Sequence, residues 1–334
     1  MTIQEPVPAE HMAVYITAAG GPEVLRLRSA AVPVPLDSEL LIRVHAAGIN
    51  RHDVNQRRRG PSPSHSDIPG LEVAGIVAAF GRAVTGWEIG DRVCALSDGG
   101  GYAQYAAVPA AHAFAIPDSL DFTQAAALPE ALFTIWHNFF KVAALGPGES
   151  VLLHGGTSGV GSVAIQLLTQ LGHPVFATCG SDAKVVAAEK LGATKAFNYR
   201  GDNFEEGIRA RTGGRGVDVI LDMSGARYSA RNLEALAMRG RIVHLSPGDG
   251  ADFSAPLRAI MAKEAKITGS LLRPLPNDEK SLIARDLRAH AWPRIAAGHV
   301  RPLVRQVFAL EDAALAHGAM EHEQHQGKLL LRCA

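Results

Sequence analysis

The chain has 334 residues, 47% of them hydrophobic, which is enough to bury a large core and suggests about two domains. Lys plus Arg and Asp plus Glu balance at 33 each, so the charge favours neither nucleic acid nor an anionic membrane surface as a partner. The three cysteines are far apart and form no CxxC pair, which argues against a disulfide framework and a structural zinc site and suits a reducing cytosol.

The N-terminal residues 1–11 are polar and contain proline, and they are interpreted as an extension, either natural or added. They lack the apolar stretch of a secretory signal, and no apolar run in the chain approaches the length of a membrane span. We therefore expect a soluble, cytoplasmic protein.

From Met12 to about Pro117 the sequence consists of short β-rich runs broken by Gly and Pro, which predicts a compact, mostly β region. Residues 121–145 have the apolar spacing of helices, interrupted by Pro129. Because proline disrupts a helix interior but is accepted in its first turn, we expect one helix to end and another to begin there, as a connector between domains.

Between Ser150 and Ser270 apolar strands alternate with helices, which predicts an α/β domain with a doubly wound parallel sheet. The predicted strands include "SVLLHG", "PVFATC", "KAFNY", "VDVILDMSG" and "GRIVHLS". The terminal strand "GKLLLRCA" has no helix after it and resembles the earlier β region. We therefore predict one domain from residues 1–130 and 276–334 and a second, dinucleotide-binding domain from residues 131–275.

A glycine-rich turn, "HGGTSGVG", follows the first strand of the α/β region and precedes a helix. Such a turn lets backbone N–H groups and a helix N-terminus face a pyrophosphate. The pattern from Gly156 to Gly161 is G-x-x-G-x-G, and the alternative is an ordinary tight turn. The small residues after it and a second strand at the right distance favour a dinucleotide site.

The second strand of this region ends at Cys179, without the acidic residue that usually holds the ribose 2′-hydroxyl of NAD. Gly180, Ser181 and Lys184 follow, and Asp182 is interpreted as a first-turn residue of the next helix. Lys184 could equally be a solvated surface lysine. Small residues with a nearby cation favour NADPH over NADH.

Several other chemistries are disfavoured. The turn is also typical of short-chain dehydrogenases, but none of the tyrosines has the lysine four residues later that this class uses. No G-x-S-x-G elbow of a hydrolase is present. His317, His322 and His325 are interpreted as a polar helix end, and no metal site is predicted.

Taken together, the motifs resemble the medium-chain dehydrogenase/reductase superfamily, in particular its zinc-independent quinone oxidoreductase branch and the p53-inducible type within it. The likeness runs from Met12 to the end of the chain and rests on "GGPEVLRL", "AAGINRHDVNQR", "IPGLEVAGIV", "AAALPEALFT", "HGGTSGVG", "AEKLGATKAFNYR" and "GSLLR". The resemblance implies a Rossmann domain and a mostly β, GroES-like catalytic domain. Asn50 and Leu71 stand where zinc-dependent relatives carry a Cys and a His, so alcohol oxidation is disfavoured.

The resemblance also implies the site residues. Asn50 and Thr134 are expected beside the nicotinamide of NADPH; the alternatives are that Asn50 caps a turn and that Thr134 bonds within its own helix. The implied cofactor contacts come from the glycine turn, the 2′-phosphate end and the nicotinamide ribose side, and they are Ser158, Gly159, Val160, Gly180, Ser181, Lys184, Tyr199, Ser270, Leu271 and Leu272.

One departure concerns the acceptor pocket, where family members often place a tyrosine. This chain has His52, Asn55 and the basic stretch 57–59 in that region instead. We expect metal-independent hydride or electron transfer from NADPH to a quinone, in a homodimer. The alternatives are a 2-alkenal or enone double-bond reductase and a catalytically silent, crystallin-like NADPH-binding protein.

Overall fold

The computed structural model describes residues 6–64, 66–248, 252–321 and 326–333. Within them the chain forms two compact units. The first unit comprises the residues up to Glu130, Pro276–Ala296 and the residues from Pro302 onward, and the second comprises Ala131–Leu275 and Ala297–Arg301. Residues 297–301 lie inside the stretch predicted for the first domain, but they pack with the second unit.

The strands in chain order are β1 (Glu10–Ile16), β2 (Leu25–Ala31), β3 (Glu39–Ile49), β4 (Glu72–Phe80), β5 (Arg92–Leu96), β6 (Tyr105–Pro109), β7 (Ala113–Ala115), β8 (Val151–His154), β9 (Val175–Cys179), β10 (Lys195–Asn198), β11 (Val217–Asp222), β12 (Leu236–His244), β13 (Lys266–Gly269), β14 (Val304–Ala309) and β15 (Lys328–Arg332). The α-helices are α1 (Arg51–Arg59), α2 (Phe122–Ala126), α3 (Pro129–Trp136), α4 (Gly159–Gln170), α5 (Asp182–Lys190), α6 (Phe204–Arg211), α7 (Ser229–Ala235), α8 (Leu257–Lys263), α9 (Asn277–His290), α10 (Trp292–Ala296) and α11 (Ala313–Glu321).

The first unit is built on a seven-stranded sheet in the order β14-β15-β3-β4-β5-β7, with β6 also paired to β3, beside the antiparallel pair β1-β2. The terminal strand β15 runs antiparallel to β3, with Leu331 opposite Ala47, so the C-terminal segment is part of this sheet. Glu10 and His11, predicted to be part of an extension, instead begin β1 and pair with β2. Residues 1–5 lie outside the described residues.

The second unit is a six-stranded parallel sheet in the order β10-β9-β8-β11-β12-β13. Strands β8 and β9 of this sheet are buried at every position, as expected for strands covered on both faces. The strand order reverses between β8 and β11, and in doubly wound sheets ligands bind outside the carboxyl ends of the strands at such a switch point. The predicted parallel, doubly wound sheet is confirmed.

The helical connector begins with α2, which Asp121 caps by accepting a hydrogen bond from Gln124 N–H at 2.7 Å. Pro129 then begins α3, as predicted, because its missing N–H is not needed in a first helical turn. Residues His137–Val142 continue α3 as a π-helical segment. Among the described helices, none combines the length and the apolar character needed to cross a bilayer.

Candidate functional site

The glycine turn lies directly after β8, at the switch point of the second unit. Gly155 has φ +75° and, with Gly156, donates its N–H to Thr178 O at 3.0 Å. Ser158 caps α4 by accepting a hydrogen bond from Gly161 N–H at 3.0 Å. A Cβ on Gly161 would lie 2.2 Å from Gly155 O, so only glycine lets the helix begin this close to the turn.

This arrangement fits a dinucleotide. The 12-residue helix α4 begins with Gly159 and Val160 and directs its N-terminal N–H groups to the carboxyl edge of the sheet. Those N–H groups and the helix dipole attract a negatively charged group such as a pyrophosphate. The close approach of α4 to the turn at Gly161, and of the turn to β9 at Gly156, is typical of such a site.

The four residues expected at the 2′-phosphate end come together where β9 and β10 end. Tyr199 N–H donates to Cys179 O at 3.0 Å, and the Tyr199 hydroxyl lies against the Cα of Gly180, where a Cβ would be 2.7 Å from it. Burial raises the pKa of the Cys179 thiol to about 11, and the positive charge of the nearby Lys184 lowers it in part. Ser181 caps α5 and accepts from Lys184 N–H at 3.4 Å.

Asp182 is the first residue of α5, as interpreted from the sequence. Its carboxylate accepts a hydrogen bond from Asn198 Nδ2 at 2.7 Å. The acid is thus engaged by the neighbouring strand β10 and also favours the helix N-terminus electrostatically.

Two of the expected nicotinamide-side residues are linked through a residue that sequence reasoning did not identify. Asn138 Nδ2 donates to Thr134 O at 2.7 Å, and Ser270 Oγ donates to Asn138 Oδ1 at 2.6 Å. Ser270 and Leu271 also line a cavity of about 680 Å³ at the carboxyl ends of β12 and β13. Leu272 follows them, and its carbonyl oxygen accepts from Leu275 N–H at 3.2 Å.

A second network that the sequence did not reveal lies beneath the glycine turn. Asp222 Oδ2 accepts from Asn232 Nδ2 at 2.7 Å, so Asn232 Oδ1 is the acceptor for His154 Nε2–H at 2.8 Å. His154 Nδ1 then accepts from Thr178 Oγ1 at 2.8 Å. Burial lowers the pKa of His154, in keeping with a neutral ring. The network joins the ends of β8, β9 and β11 and so holds together the strand ends from which the glycine turn begins.

The first unit contains a buried triangle of mutually hydrogen-bonded side chains, which are Asn50, Lys328 and Glu72. Lys328 Nζ donates to Asn50 Oδ1 at 2.5 Å and also to Glu72 Oε1, and Asn50 Nδ2 donates to Glu72 Oε1 at 3.0 Å. The other carboxylate oxygen of Glu72 accepts from Glu130 N–H at 2.9 Å. A Cβ on Gly48 would lie 2.1 Å from Glu72 Oε1, so this glycine leaves the space that the carboxylate fills.

Asp53 holds two segments of this site together. Its carboxylate accepts from Asn50 N–H at 2.7 Å and from Gly70 N–H at 3.2 Å, and Tyr102 donates its hydroxyl to it at 3.2 Å. Burial raises the pKa of Asp53 to about 7, against the opposing effect of these donors and of Lys328. Asn50 is indeed the cap residue of α1, so its backbone caps a helix while its side chain belongs to the triangle.

Two arginines of the basic stretch expected near the acceptor pocket make structural contacts. Arg57 is buried, donates to Gly20 O at 3.2 Å and pairs with Glu321 Oε1 at 2.6 Å, and Arg58 pairs with the same oxygen at 2.8 Å. These two arginines therefore fix α1 to α11. Asn55 is exposed and His52 is partly buried.

His317 is buried in α11, contrary to a polar helix end, and its Nε2 lies 3.1 Å from the Tyr102 hydroxyl. Burial lowers its pKa to about 3, so the ring is neutral. His322 and His325 lie outside the described residues.

Two family models match the chain. Residues 36–118 match the alcohol dehydrogenase GroES-like domain, and residues 159–286 match the zinc-binding dehydrogenase model. The mostly β, GroES-like character predicted for the first domain is thereby confirmed.

The name of the zinc-binding dehydrogenase model raises the question of whether the residues of this chain could bind zinc. Asn50 offers a neutral amide and Leu71 an alkyl group at the places of a thiolate and an imidazole ligand. The Asn50 oxygen already faces the ammonium of Lys328, which would repel a second cation. No group of three His, Cys, Asp or Glu suited to a metal occurs in the part of the chain that the structure describes. The residues do not fit zinc.

Relatives extend over nearly the whole chain. The quinone oxidoreductase of Sus scrofa is 34% identical over 324 residues, which cover 96% of this chain and 97% of the relative. The Escherichia coli quinone oxidoreductase, solved in complex with NADPH, is 31% identical with a TM-score of 0.82, covering 97% of this chain and all of that one. An alcohol dehydrogenase described as NAD-dependent is 30% identical with a TM-score of 0.85, with 97% and 100% covered. The chain therefore belongs to the quinone oxidoreductase family, the zinc-independent branch of the medium-chain dehydrogenases/reductases that its motifs indicated.

Proposed function

We propose that this protein is an NADPH-dependent quinone reductase. The observation that supports the reaction best is the likeness to quinone oxidoreductases over 96% of the chain. The donor set around Asn50 agrees with it, because reducing an activated acceptor requires no Lewis acid. When bound, the reduced nicotinamide would supply the hydride, and protons would reach the reduced oxygens from solvent.

The chain's own residues would bind and orient the reactants. Ser158, Gly159 and Val160 would hold the pyrophosphate at the start of α4, and Ser270, Leu271 and Leu272 would line the nicotinamide ribose. Asn50 and Thr134 would orient the nicotinamide ring. Placing donor and acceptor in near-attack geometry can contribute roughly 7–11 kcal/mol to the rate.

The choice of NADPH rests on the residues at the end of β9. A 2′-phosphate needs a cation and hydrogen-bond donors where NAD-dependent proteins place an acid. Lys184 and the hydroxyls of Ser181 and Tyr199, the latter against Gly180, would meet that need. The engagement of Asp182 by Asn198 supports the same choice.

The first test measures oxidation of NADPH and NADH with 1,4-benzoquinone, 9,10-phenanthrenequinone and a 2-alkenal, for wild type and Lys184→Ala. We expect quinone-dependent oxidation with NADPH preferred. Losing a charge-assisted hydrogen bond, worth roughly 1.5–3 kcal/mol, should raise the KM for NADPH about tenfold to a hundredfold and leave the KM for NADH nearly unchanged.

The matched control is Lys190→Ala, which removes an exposed lysine from the last turn of the same helix and should change neither KM. Equal use of NADH and NADPH by the wild type would contradict the cofactor assignment. Reduction of the alkenal alone would contradict the quinone reaction, and tight NADPH binding without turnover of any acceptor would show a binding protein instead.

A further inference from the structure

The buried triangle of Asn50, Lys328 and Glu72 fixes the orientation of the Asn50 amide. A lysine ammonium only donates hydrogen bonds and an ionised carboxylate only accepts them. The atom that faces Lys328 Nζ must therefore be Oδ1, and the atom that faces Glu72 must be Nδ2. One Nδ2–H is used by Glu72, which leaves a second N–H, and 7% of the Asn50 surface remains exposed.

The ammonium also changes the chemistry of that amide. The cation at 2.5 Å from Oδ1 draws electron density from the amide, and the Glu72 carboxylate opposes this from the longer distance of 3.0 Å, so we expect the remaining N–H to be a stronger donor than without Lys328. Lys328 and Glu72 are 3% and 0% exposed, so water screens this effect little. A preorganised donor in a site of low dielectric constant acts most strongly on an oxygen that gains negative charge during the reaction.

We propose that Lys328 is a positioning residue of the reaction: it orients and polarises Asn50 so that the remaining amide N–H donates to the acceptor oxygen as negative charge develops there. This inference rests on the proposed quinone reduction. Lys328 itself contacts no substrate in it and acts only through Asn50.

A purely stabilising role explains the buried triangle less well than a role in the reaction. Burying two charges costs solvation energy that their attraction often fails to recover, so a buried pair is poor evidence for a purely stabilising role. Lys280 in the first unit offers a comparison. It is also buried and pairs with Asp98 at 2.6 Å, but the Asp98 side chain is half exposed. Lys328, by contrast, has both of its hydrogen-bonded partners buried, and one of them is Asn50.

The experiment compares wild type, Lys328→Met, Asn50→Ala and the variant with both changes, using the quinone that the wild type reduces fastest. We expect Lys328→Met to lower kcat roughly tenfold to a hundredfold, while the Kd of NADPH measured by fluorescence changes less than about twofold. In the Asn50→Ala background, Lys328→Met should have no further effect on kcat, because Lys328 acts through Asn50. Lys328→Arg, which keeps the charge, should recover part of the loss.

Two further variants separate this role from folding. Glu72→Gln with Lys328→Met removes both charges and keeps an acceptor for Asn50 Nδ2, so it should fold even if Lys328→Met does not, yet still show the lowered kcat. Lys280→Met removes a buried lysine from the same unit and should keep the wild-type kcat.

Several outcomes would overturn the proposal. The first is a wild-type kcat in the variant with Glu72→Gln and Lys328→Met. The second is a kcat in the Asn50→Ala, Lys328→Met variant that is lowered by the product of the two single effects. The third is a Lys328→Met variant that binds NADPH more weakly but keeps the wild-type kcat. Failure of the proposed function would look different: the wild type would then bind NADPH and reduce no quinone, before any variant is made.

Discussion

Asp53 makes the stability of this protein depend on pH in an unusual direction. Burial raises the pKa of its carboxyl from 3.8 to about 7. Between these values the folded protein holds a proton that the unfolded chain has released, so the free energy of unfolding should fall as the pH rises from about 4 to about 7. At about 1.4 kcal/mol per pKa unit, the fall is at most about 4 kcal/mol. Urea unfolding of wild type and Asp53→Asn across this pH range measures the fall. It is the change with pH in the difference between their free energies of unfolding.

Tyr102→Phe provides the companion variant. The Tyr102 hydroxyl donates to Asp53 and favours its charged form. Removing the hydroxyl should raise the pKa further and move the loss of stability to higher pH. A difference between wild type and Asp53→Asn that stays constant from pH 4 to pH 8 would contradict the raised pKa.

At the scale of elements, the start of α4 depends on a glycine. In Gly161→Ala the new Cβ would lie 2.2 Å from the carbonyl oxygen of Gly155, so the helix or the turn must move. We expect a loss of about 1–3 kcal/mol in the free energy of unfolding and weaker NADPH binding, because the N–H groups at the turn shift together. Urea unfolding and a fluorescence titration with NADPH measure the two effects.

Gly318→Ala is the control, because its Cβ would meet nothing within 4 Å in α11. Replacing a helical glycine by alanine in open space should stabilise the protein by about 0.5–1 kcal/mol and leave NADPH binding unchanged. A Gly161→Ala variant as stable as wild type with unchanged NADPH affinity would show that the contact at the turn is not required.

The elements also show what the sequence could and could not predict. Strands such as β8 and β11 are mostly apolar runs between turn signals, so the alternation of strands and helices was predictable. Helix α8 buries no residue, although Leu257, Ile260 and Met261 have the apolar spacing of a helix. The site was predictable only in part: Asn50 followed from the resemblance, whereas Lys328 and Glu72 are 256 positions apart and meet because β15 and β4 pair with opposite edges of β3. No pattern among neighbouring residues in the sequence predicts that these two side chains meet.

At the scale of the whole molecule, each unit has its own hydrophobic core. The core of the first unit joins β3, β4 and β15 through residues such as Val44, Val73 and Leu331, and that of the second joins β8 and β11 through Leu152 and Ile220. The residues proposed to hold the pyrophosphate, the 2′-phosphate end and the nicotinamide ribose belong to the second unit, whereas Asn50 and Lys328 belong to the first. In the proposed reaction, most cofactor contacts and the acceptor-side residues therefore belong to units with separate hydrophobic cores.

This division leads to an expectation for hydrogen exchange. A ligand that binds only the folded form stabilises it by RT ln(1 + [L]/Kd), so NADPH at 100 times its Kd should slow the exchange of protected amides in β8 and β11 roughly 100-fold. Amides in β3 and β4 should slow less, because few of the proposed contacts lie in their unit. Hydrogen exchange followed by mass spectrometry, with Lys184→Ala at the same NADPH concentration as a weak-binding control, measures both sets. Equal slowing in the two units would show instead that the molecule opens as one cooperative body, in which NADPH binding stabilises the Asn50 triangle as strongly as the glycine turn.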